Sequence, residues 1–256
     1  MPDWNPKLYL QFKNERNRAS LDLIQHINHP QAVFITDLGC GPGNSTKVLR
    51  NTYPSAHITG IDNSQSMLKE AQASLPECYF ENVDMSEWNP LHKQDIIFAN
   101  ASLQWLSGHQ DLIPHFASQL NENGVLAIQM PDNWNEPSHA HMRKIASEFK
   151  ISELDRESIL TTHDYYDLLS KSGCAIDMWR TTYYHVMPSI TSIIDWVKGT
   201  RLRPYLEKLD EAAQGQFIEK YHRLLTNSYP AQHDGNILMP FPRLFIVARK
   251  QKTPDK

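Results

Sequence analysis

The stretch Asp37-Leu38-Gly39-Cys40-Gly41-Pro42-Gly43 follows directly on an apolar run at 33–38 and leads into a helical segment. Three glycines in so short a turn let the backbone take positive φ and pass close to a ligand with no Cβ in the way. Such a turn, at the carboxyl end of a parallel strand, is where doubly wound sheets bind nucleotides. The spacing then narrows the ligand. A dinucleotide fingerprint requires Gly or Ala three places after its second glycine, and that place here is Asn44. A Walker A loop requires Gly-Lys-Ser/Thr, whereas Gly43-Asn44-Ser45-Thr46 has no lysine to meet phosphate charge. Asp37 beside the loop would repel a pyrophosphate and suits a sulfonium or an ammonium group.

The rest of the first half supports the strand–turn–helix reading. Apolar, strand-like runs recur at 57–61, 79–83, 95–99 and 125–130. Several are continuous, as expected of strands covered on both faces. Helical stretches separate most of them: Ser64 is a good N-cap for a helix over 67–75, another helix spans 112–120, and Leu21, Leu23, Ile24 and Ile27 have helical spacing before the first strand. The β-α-β-α alternation implies right-handed crossovers and a parallel sheet. After residue 131 the rhythm changes. Residues 134–172 read as helical with polar interruptions, 175–187 as a strand, 189–199 and 207–227 as helices, and 244–248 as a closing strand. Because that strand returns to the sheet, residues 1–256 are expected to form a single domain. Its cap elements are expected within 134–172 and 189–227.

Composition excludes several classes. The formal net charge is −4 and no Lys/Arg-rich stretch supplies a basic face, so no nucleic-acid partner is expected. No apolar run reaches the length of a membrane span. The first residues, Met1-Pro2-Asp3-Trp4-Asn5, lack the basic start and apolar stretch of a signal peptide. Cys40, Cys78 and Cys174 are odd in number and widely spaced, which reads as reduced thiols in a cytoplasmic protein. Among twelve histidines, only His139/His141 and His26/His29 are close pairs, and neither has a third and fourth ligand well placed, so no metal is expected.

Three further signals fall at successive strand ends. Gly60-Ile61-Asp62 puts a carboxylate about 20 residues beyond the glycine loop, where it can accept both hydroxyls of an adenosine ribose. In Asn82-Val83-Asp84-Met85, an Asp can accept from an adenine amino group. Asn100-Ala101-Ser102 ends the fourth strand, at the centre of the sheet. Each alone is weak, since a glycine-rich turn is often only a turn and an Asp at a strand end is usually a helix cap. In order, at successive strand ends, they form one nucleoside site.

This motif set resembles that of the class I S-adenosylmethionine-dependent methyltransferases, and the chain is similar to the trans-aconitate 2-methyltransferase family over essentially its whole length. The matching stretches include Asp3-Trp4-Asn5-Pro6, Tyr9-Leu10, Glu15-Arg16, the glycine loop, residues 98–106 and Gln129-Met130-Pro131-Asp132-Asn133-Trp134. Beyond these come residues 179–185, Ile194-Asp195-Trp196-Val197, Leu202-Arg203-Pro204 and residues 242–248. Arg201 stands where that family is expected to carry Gly, and 147–160 match poorly.

The resemblance implies a Rossmann-like α/β fold: a seven-stranded, mostly parallel sheet with an antiparallel last strand, and a helical substrate cap. It implies S-adenosyl-L-methionine as methyl donor, with S-adenosyl-L-homocysteine as product. The donor site is expected to draw on Asp37, Gly39, Cys40, Gly41, Gly43, Asp62, Asn63, Met67, Asp84, Met85, Asn100, Ala101 and Trp105. The acceptor would be a carboxylate of trans-aconitate, a small anionic substrate, converted to a monomethyl ester. A carboxylate is ionised at neutral pH, so no general base is required; the protein orients the attacking oxygen and excludes water. The remaining carboxylates call for Arg, whose planar fork binds them in pairs. Arg203, Arg243, Arg180 and Arg16 are the candidates, with Tyr183, Tyr184, Gln104, Trp134 and Asn133 beside them. Arg203 and Arg243 rank first, because each is set beside a proline at the edge of an element.

Other readings are a methyltransferase for a different small di- or tricarboxylic acid or for an acyl-carrier-bound carboxylate, and a non-catalytic S-adenosylmethionine sensor. A base N-methyltransferase would carry Asn/Asp-Pro-Pro-aromatic after the fourth strand, where this chain has Asn100-Ala101-Ser102-Leu103. No obligate protein partner is evident.

Overall fold

The computed structural model describes residues 13–151, 158–199 and 201–252, with residues 13–17 given by their backbone alone. In chain order the elements are α1 (Lys13–Gln25), β1 (Phe34–Leu38), α2 (Asn44–Thr52), β2 (His57–Asp62), α3 (Gln65–Ser74), β3 (Tyr79–Asn82), β4 (Gln94–Asn100), a 3-10 turn (Leu103–Trp105), α4 (His109–Ser118) and β5 (Leu120–Pro131). There follow α5 (Pro137–Glu148), α6 (Thr162–Lys171), β6 (Cys174–Met187), α7 (Ile190–Lys198), α8 (Arg203–Leu206), α9 (Glu211–Ser228) and β7 (Ile237–Lys250).

The strands form one seven-stranded sheet in the order β3-β2-β1-β4-β5-β7-β6. Neighbours from β3 to β5 run parallel, and the last strand, β7, is antiparallel, as the resemblance implies. Chain order reverses at β1. The chain moves from β1 outward to β2 and β3, then returns to place β4 on the other side. The carboxyl ends of β1 and β4 therefore flank the topological switch point, where open α/β sheets leave a crevice for ligands.

By contact density the chain forms two compact units. One comprises residues 1–131, 159–180 and 244–256, the other 132–158 and 181–243. The first holds the sheet core: Leu38, Ile61, Ile97, Leu126, Ile128, Leu244 and Ile246, all fully buried or nearly so, packed with Phe116, Tyr165 and Leu169 from the helices. Its central strand starts from a fixed point, because Asp95 Oδ2 accepts both the Val33 and the Phe34 N–H (2.8 and 2.9 Å). Helix α6, which falls inside the expected cap range, groups with this unit. It opens with a capping box in which Thr161 and Asp164 exchange side chain-to-backbone bonds.

In the second unit α5 packs along α9. The Tyr221 hydroxyl donates to the Ser138 carbonyl (2.5 Å), the Tyr229 hydroxyl accepts the Ser138 N–H (3.1 Å), and Lys220 pairs with Glu148 (2.7 Å). The Tyr229 hydroxyl thus meets one N–H of the amino-terminal turn of α5, which has no side-chain cap of its own, while Lys220 pairs with the helix's last residue.

Two element limits differ from the sequence reading for physical reasons. β7 begins at Ile237, seven residues before the apolar run at 244–248. Its first half alternates buried and part-exposed residues and carries Pro240 and Pro242, which argue against a central strand; its second half is buried throughout. β5 begins at Leu120, before Gly124, whose near-contact with the Gln94 carbonyl would exclude a Cβ.

Candidate functional site

Beyond the ends of β1, β2 and β4 lies a cavity that opens to solvent. It is lined by Gly39, Gly41, Pro42, Asp62, Asn63, Met67, Met85, Ala101, Ser102, Trp105 and Leu106, all of the first unit.

The glycine loop is shaped as its composition requires. Gly39, Gly41 and Gly43 all have positive φ (70°, 54° and 87°). A Cβ on Gly39 would come within 2.4 Å of the Ser102 Cβ, so this glycine lets the turn after β1 close on the turn after β4. A Cβ on Gly41 would meet nothing within 4 Å: the loop leaves open space on its cavity side, where a ligand can approach the backbone. Gly43 serves a different purpose. It is the N-cap of α2, and its bare Cα faces Ala71 and Leu75 of α3.

Asp62 ends β2. Its Oδ2 accepts the Gly41 N–H and its Oδ1 the Ser64 N–H, both at 2.9 Å. The carboxylate thereby ties the glycine loop to the start of α3, where Ser64 caps the Met67 N–H. The Asn63 N–H bonds the carboxylate as well, which leaves about one lone-pair site for a hydroxyl donor. Burial raises its pKa against the pull of these N–H bonds. Asp84 does not itself line the cavity. It accepts the Ser86 N–H and hydroxyl (2.9 and 2.7 Å), bonds that lower its pKa, and it bonds the side chain of Asn63, which does line it.

Asp37 corrects the sequence reading, which puts it beside the ligand. It lies fully buried beneath the loop, its Oδ2 accepting the Ser45 and Thr46 hydroxyls at 2.7 Å each. Desolvation raises its pKa to about 6, with the nearby Asp62 charge adding to the rise and the two hydroxyls opposing it. Cys40 is buried as well. Its thiol, whose pKa burial raises, bonds the Gly41 carbonyl and faces Gly60, so it is a packing group under the loop. Asn100 closes β4 without lining the cavity.

The wall after β4 is a tight turn. Ala101 has φ 54°, a left-handed conformation that costs a non-glycine residue about 1–2 kcal/mol. Its N–H donates to the Gln129 carbonyl (2.9 Å), and its own carbonyl accepts the Gln104 amide (2.6 Å). Gln104, expected to touch substrate, is thus a buried brace of this turn. Ser102, which the sequence reading quoted without a role, lines the cavity, and its buried Oγ has no hydrogen-bond partner. The Asn100 Oδ1 is likewise buried without a hydrogen-bond partner, but Asn100 does not line the cavity. Buried polar atoms at a strand end that lack partners in the protein are suited to a ligand. Pro42 and Leu106 also line the cavity. Both lie within the motifs at 37–43 and 98–106, but neither is among the candidate residues.

The chemistry of the lining is specific. Among the described residues it holds a carboxylate and no Lys or Arg, a lining that does not suit phosphates. Met67, Met85, Trp105 and Leu106 supply apolar and aromatic surface for a flat ring. The open space at Gly41, the remaining acceptor capacity of Asp62 and the orphaned Ser102 oxygen fit a nucleoside carrying a cationic tail.

Candidates for the acid are distributed unevenly. Arg243 is buried, its guanidinium over the rings of Phe241 (4.8 Å) and Tyr183 (5.8 Å). Tyr183 is buried while Tyr184 is exposed, because β6 alternates its faces at this point; the two tyrosines cannot serve one pocket. His185, two residues on from Tyr183, stacks among Trp196 and Phe241, extending the aromatic surround of Arg243. Asn133 is buried, and the Trp134 ring carries the Arg143 guanidinium at 3.9 Å. Arg203 sits about half exposed at the start of α8, bonded through Nε to Glu207 (2.6 Å). Arg180 is exposed on β6. The side chain of Arg16 lies outside the described residues, as do Trp4 and Tyr9.

Comparison with known proteins accords with this geometry. A methyltransferase-domain family matches residues 35–124. The chain is 52% identical over 98% of its length to a trans-aconitate 2-methyltransferase of Escherichia coli, covering 100% of that protein. It is likewise 52% identical over 98% of its length to one of Shigella dysenteriae serotype 1, covering 99% of it. Among solved structures, the YcgJ protein of Bacillus subtilis superposes with a TM-score of 0.61 at 13% identity, over 92% of this chain and 100% of that one. An O-methyltransferase of a Brevibacillus brevis polyketide multienzyme, solved with S-adenosyl-L-homocysteine, gives 0.55 at 17% identity, over 96% and 77%. At such identities the structures speak for the fold alone.

Proposed function

The chain belongs to the trans-aconitate 2-methyltransferase family and is an S-adenosylmethionine-dependent methyltransferase, and on that premise we propose that it converts trans-aconitate to its monomethyl ester. The observation that carries the donor half of this reading is the cavity at the switch point, with a carboxylate and, among the described residues, no cation in its wall. S-adenosyl-L-methionine supplies an electrophilic methyl group on a sulfonium.

The chain's own residues bind and orient. Asp62, through the acceptor capacity left by the Gly41, Ser64 and Asn63 N–H groups, bonds the ribose. Asn63, backed by Asp84, and the side chains of Met67 and Met85 hold the adenine. The open face of Gly41, with the Ser102 oxygen, takes the amino-acid end of the donor. Asp37 and Cys40 act from beneath, by fixing the loop. No side chain has to remove a proton, since the acceptor carboxylate is ionised at neutral pH. The rate then derives from holding a carboxylate oxygen in line with the methyl group and keeping water away.

For the acid, Arg243 is the leading residue. A buried guanidinium has lost its water and interacts strongly with an anion, and the Phe241 and Tyr183 rings fix its plane. Arg203, exposed and already bonded to Glu207, is second. Three reduced cysteines, all buried, support a cytoplasmic location; among the described residues no helix is long and apolar enough to cross a membrane. The deciding experiment offers the protein a panel of di- and tricarboxylates with the methyl donor and reads the products by mass spectrometry. A monomethyl ester formed preferentially from trans-aconitate is expected. Equal or better turnover of another acid would reassign the substrate, and donor binding with no ester from any acid would leave only a sensor.

A further inference from the structure

Behind the cavity wall lies a buried pair that the reaction itself does not use. His109 is the first residue of α4, and Tyr165 lies near the start of α6; both are buried. The two ring nitrogens of His109 have different partners. Nε2 is 2.9 Å from the Leu103 carbonyl, and Nδ1 is 2.6 Å from the Tyr165 hydroxyl. A carbonyl can only accept, so Nε2 carries a proton. Tyr165 has a single hydroxyl proton. At 2.6 Å from Nδ1, against 3.8 Å from the Met130 Sδ, it goes to the ring. The chain of donors therefore runs one way: Tyr165 O–H to Nδ1, then Nε2–H to the Leu103 carbonyl.

That carbonyl is the pivot of the wall. It also accepts the Leu106 N–H (2.9 Å), closing the 3-10 turn, and the preceding Ser102 carbonyl accepts the Trp105 N–H (3.1 Å). The turn contributes Ala101, Ser102, Trp105 and Leu106 to the cavity, and it carries the left-handed Ala101. A segment held in such a conformation persists only when its surroundings over-determine it. Gln104 braces it at Ala101, and His109 braces it at Leu103, six residues back along the chain.

We propose that His109, locked in its Nε2-protonated form by Tyr165, is a positioning residue for methyl-donor binding, acting by fixing the Leu103 carbonyl and with it the wall formed by Ala101, Ser102, Trp105 and Leu106. The proposal rests on the assignment of this cavity to the donor. A hydrogen bond that orients a group touching the ligand, as the outer partners of metal-bound histidines do, is worth about tenfold or more in affinity. His109 faces the back of the wall and touches neither reactant, so its loss is expected to appear in donor affinity and to spare the acid.

The test uses the full chain and three variants, His109→Leu, His109→Gln and Tyr165→Phe. S-adenosyl-L-homocysteine affinity is read by calorimetry, acid KM at saturating donor by ester formation, and the His109 tautomer by imidazole nitrogen NMR. The native protein is expected to bind the ligand and to have an Nε2-protonated ring at His109. His109→Leu should weaken binding about tenfold. His109→Gln, whose amide can reach the Leu103 carbonyl, should recover most of that loss. Tyr165→Phe, which removes one oxygen and keeps the packing, should fall between them and lose the single tautomer, and acid KM should stay unchanged throughout. Native affinity in His109→Leu and Tyr165→Phe overturns the proposal. So does a His109→Gln protein no better than His109→Leu, because the effect is then one of packing. A native protein that fails to bind S-adenosyl-L-homocysteine removes the cavity assignment itself, and the proposal with it.

Discussion

Replacing Asp37 by Asn should make the protein's stability less sensitive to pH, and the size of the effect follows from the burial of this one carboxyl. Asp37 is fully buried, and desolvation raises its pKa from an ordinary 3.8 to about 6. Each pKa unit corresponds to about 1.4 kcal/mol between the two protonation states, so the rise amounts to about 3 kcal/mol. The sign follows from proton counting. Between about pH 4 and pH 6 the folded chain holds a proton on Asp37 that the unfolded chain has released, so folding is favoured by acid in that window. Stability from this group is greatest below about pH 4 and falls as pH rises through 6, where the buried carboxylate must ionise. Asn cannot ionise. Its amide oxygen still accepts from Ser45 and Thr46, while its NH2 group adds a cost that does not vary with pH. The stability difference between Asp37→Asn and native protein should therefore move by about 3 kcal/mol in favour of the variant between pH 4 and pH 7.5. Urea unfolding of both proteins at four pH values across this range measures it, with all other titrating groups cancelling in the difference. A difference that stays constant to within about 0.5 kcal/mol, too small to be one carboxyl's linkage, would refute the assignment of a buried, high-pKa Asp37.

Three further outcomes are expected. Asp62→Ala should weaken S-adenosyl-L-methionine binding in calorimetry more than tenfold, because it removes both the ribose acceptor and the tie to the Gly41 N–H; unchanged affinity would remove Asp62 from the donor site. Arg243→Ala should lower kcat/KM for the acid by a factor of about 10 to 100, corresponding to a lost charge-assisted bond of about 1.5–3 kcal/mol, while Arg203→Ala, half exposed and bonded to Glu207, should cost less than Arg243→Ala; the reverse order in steady-state kinetics would relocate the anion pocket. With both substrates saturating, kcat should be flat from about pH 6.5 to 8.5, since a small acid's carboxyls ionise near pH 3 to 5; a tenfold rise per pH unit in the chemical step would mean an acceptor other than a carboxylate.

The parallel half of the fold was legible because its signals are local. Residues 96–99 are continuously apolar because β4 is covered on both faces there, and the runs read at 57–61 and 95–99 both fall within the observed strands. Ser64 was identifiable as a cap because an N-cap is defined by one side chain and the N–H of a residue two or three places on. The second half was harder for the same reason. The strand read at 175–187 matches β6, but in the first half of β7 burial alternates and Pro240 and Pro242 interrupt the pattern, so only its doubly covered end at 244–248 stood out. Helix α6 was read into the cap because periodicity tells that a helix exists, but not which unit it joins.

The site divides along a similar line. Residues whose role is fixed by backbone shape were found by type and position: Gly39 and Gly41 by the turn, Asp62 by the strand end, Ala101 by the motif. Residues whose role depends on depth were misjudged, because depth is a property of the fold. Asp37 and Asp62 are both Asp at the carboxyl side of a strand, yet Asp37 is wholly buried with its Oδ2 given to two hydroxyls, whereas Asp62 faces the cavity. Tyr183 and Tyr184 are adjacent and identical, and the strand sends one inward and the other out. Gln104 sits in the middle of a quoted motif and turns its amide back on Ala101. In each pair or turn the chemistry is the same in sequence and the difference is only which face the backbone presents. An assignment by residue type therefore reaches the cavity, whose wall includes the backbone turns after β1 and β4. It falls short among the arginines, where burial separates Arg243 from Arg180 and no local pattern encodes it.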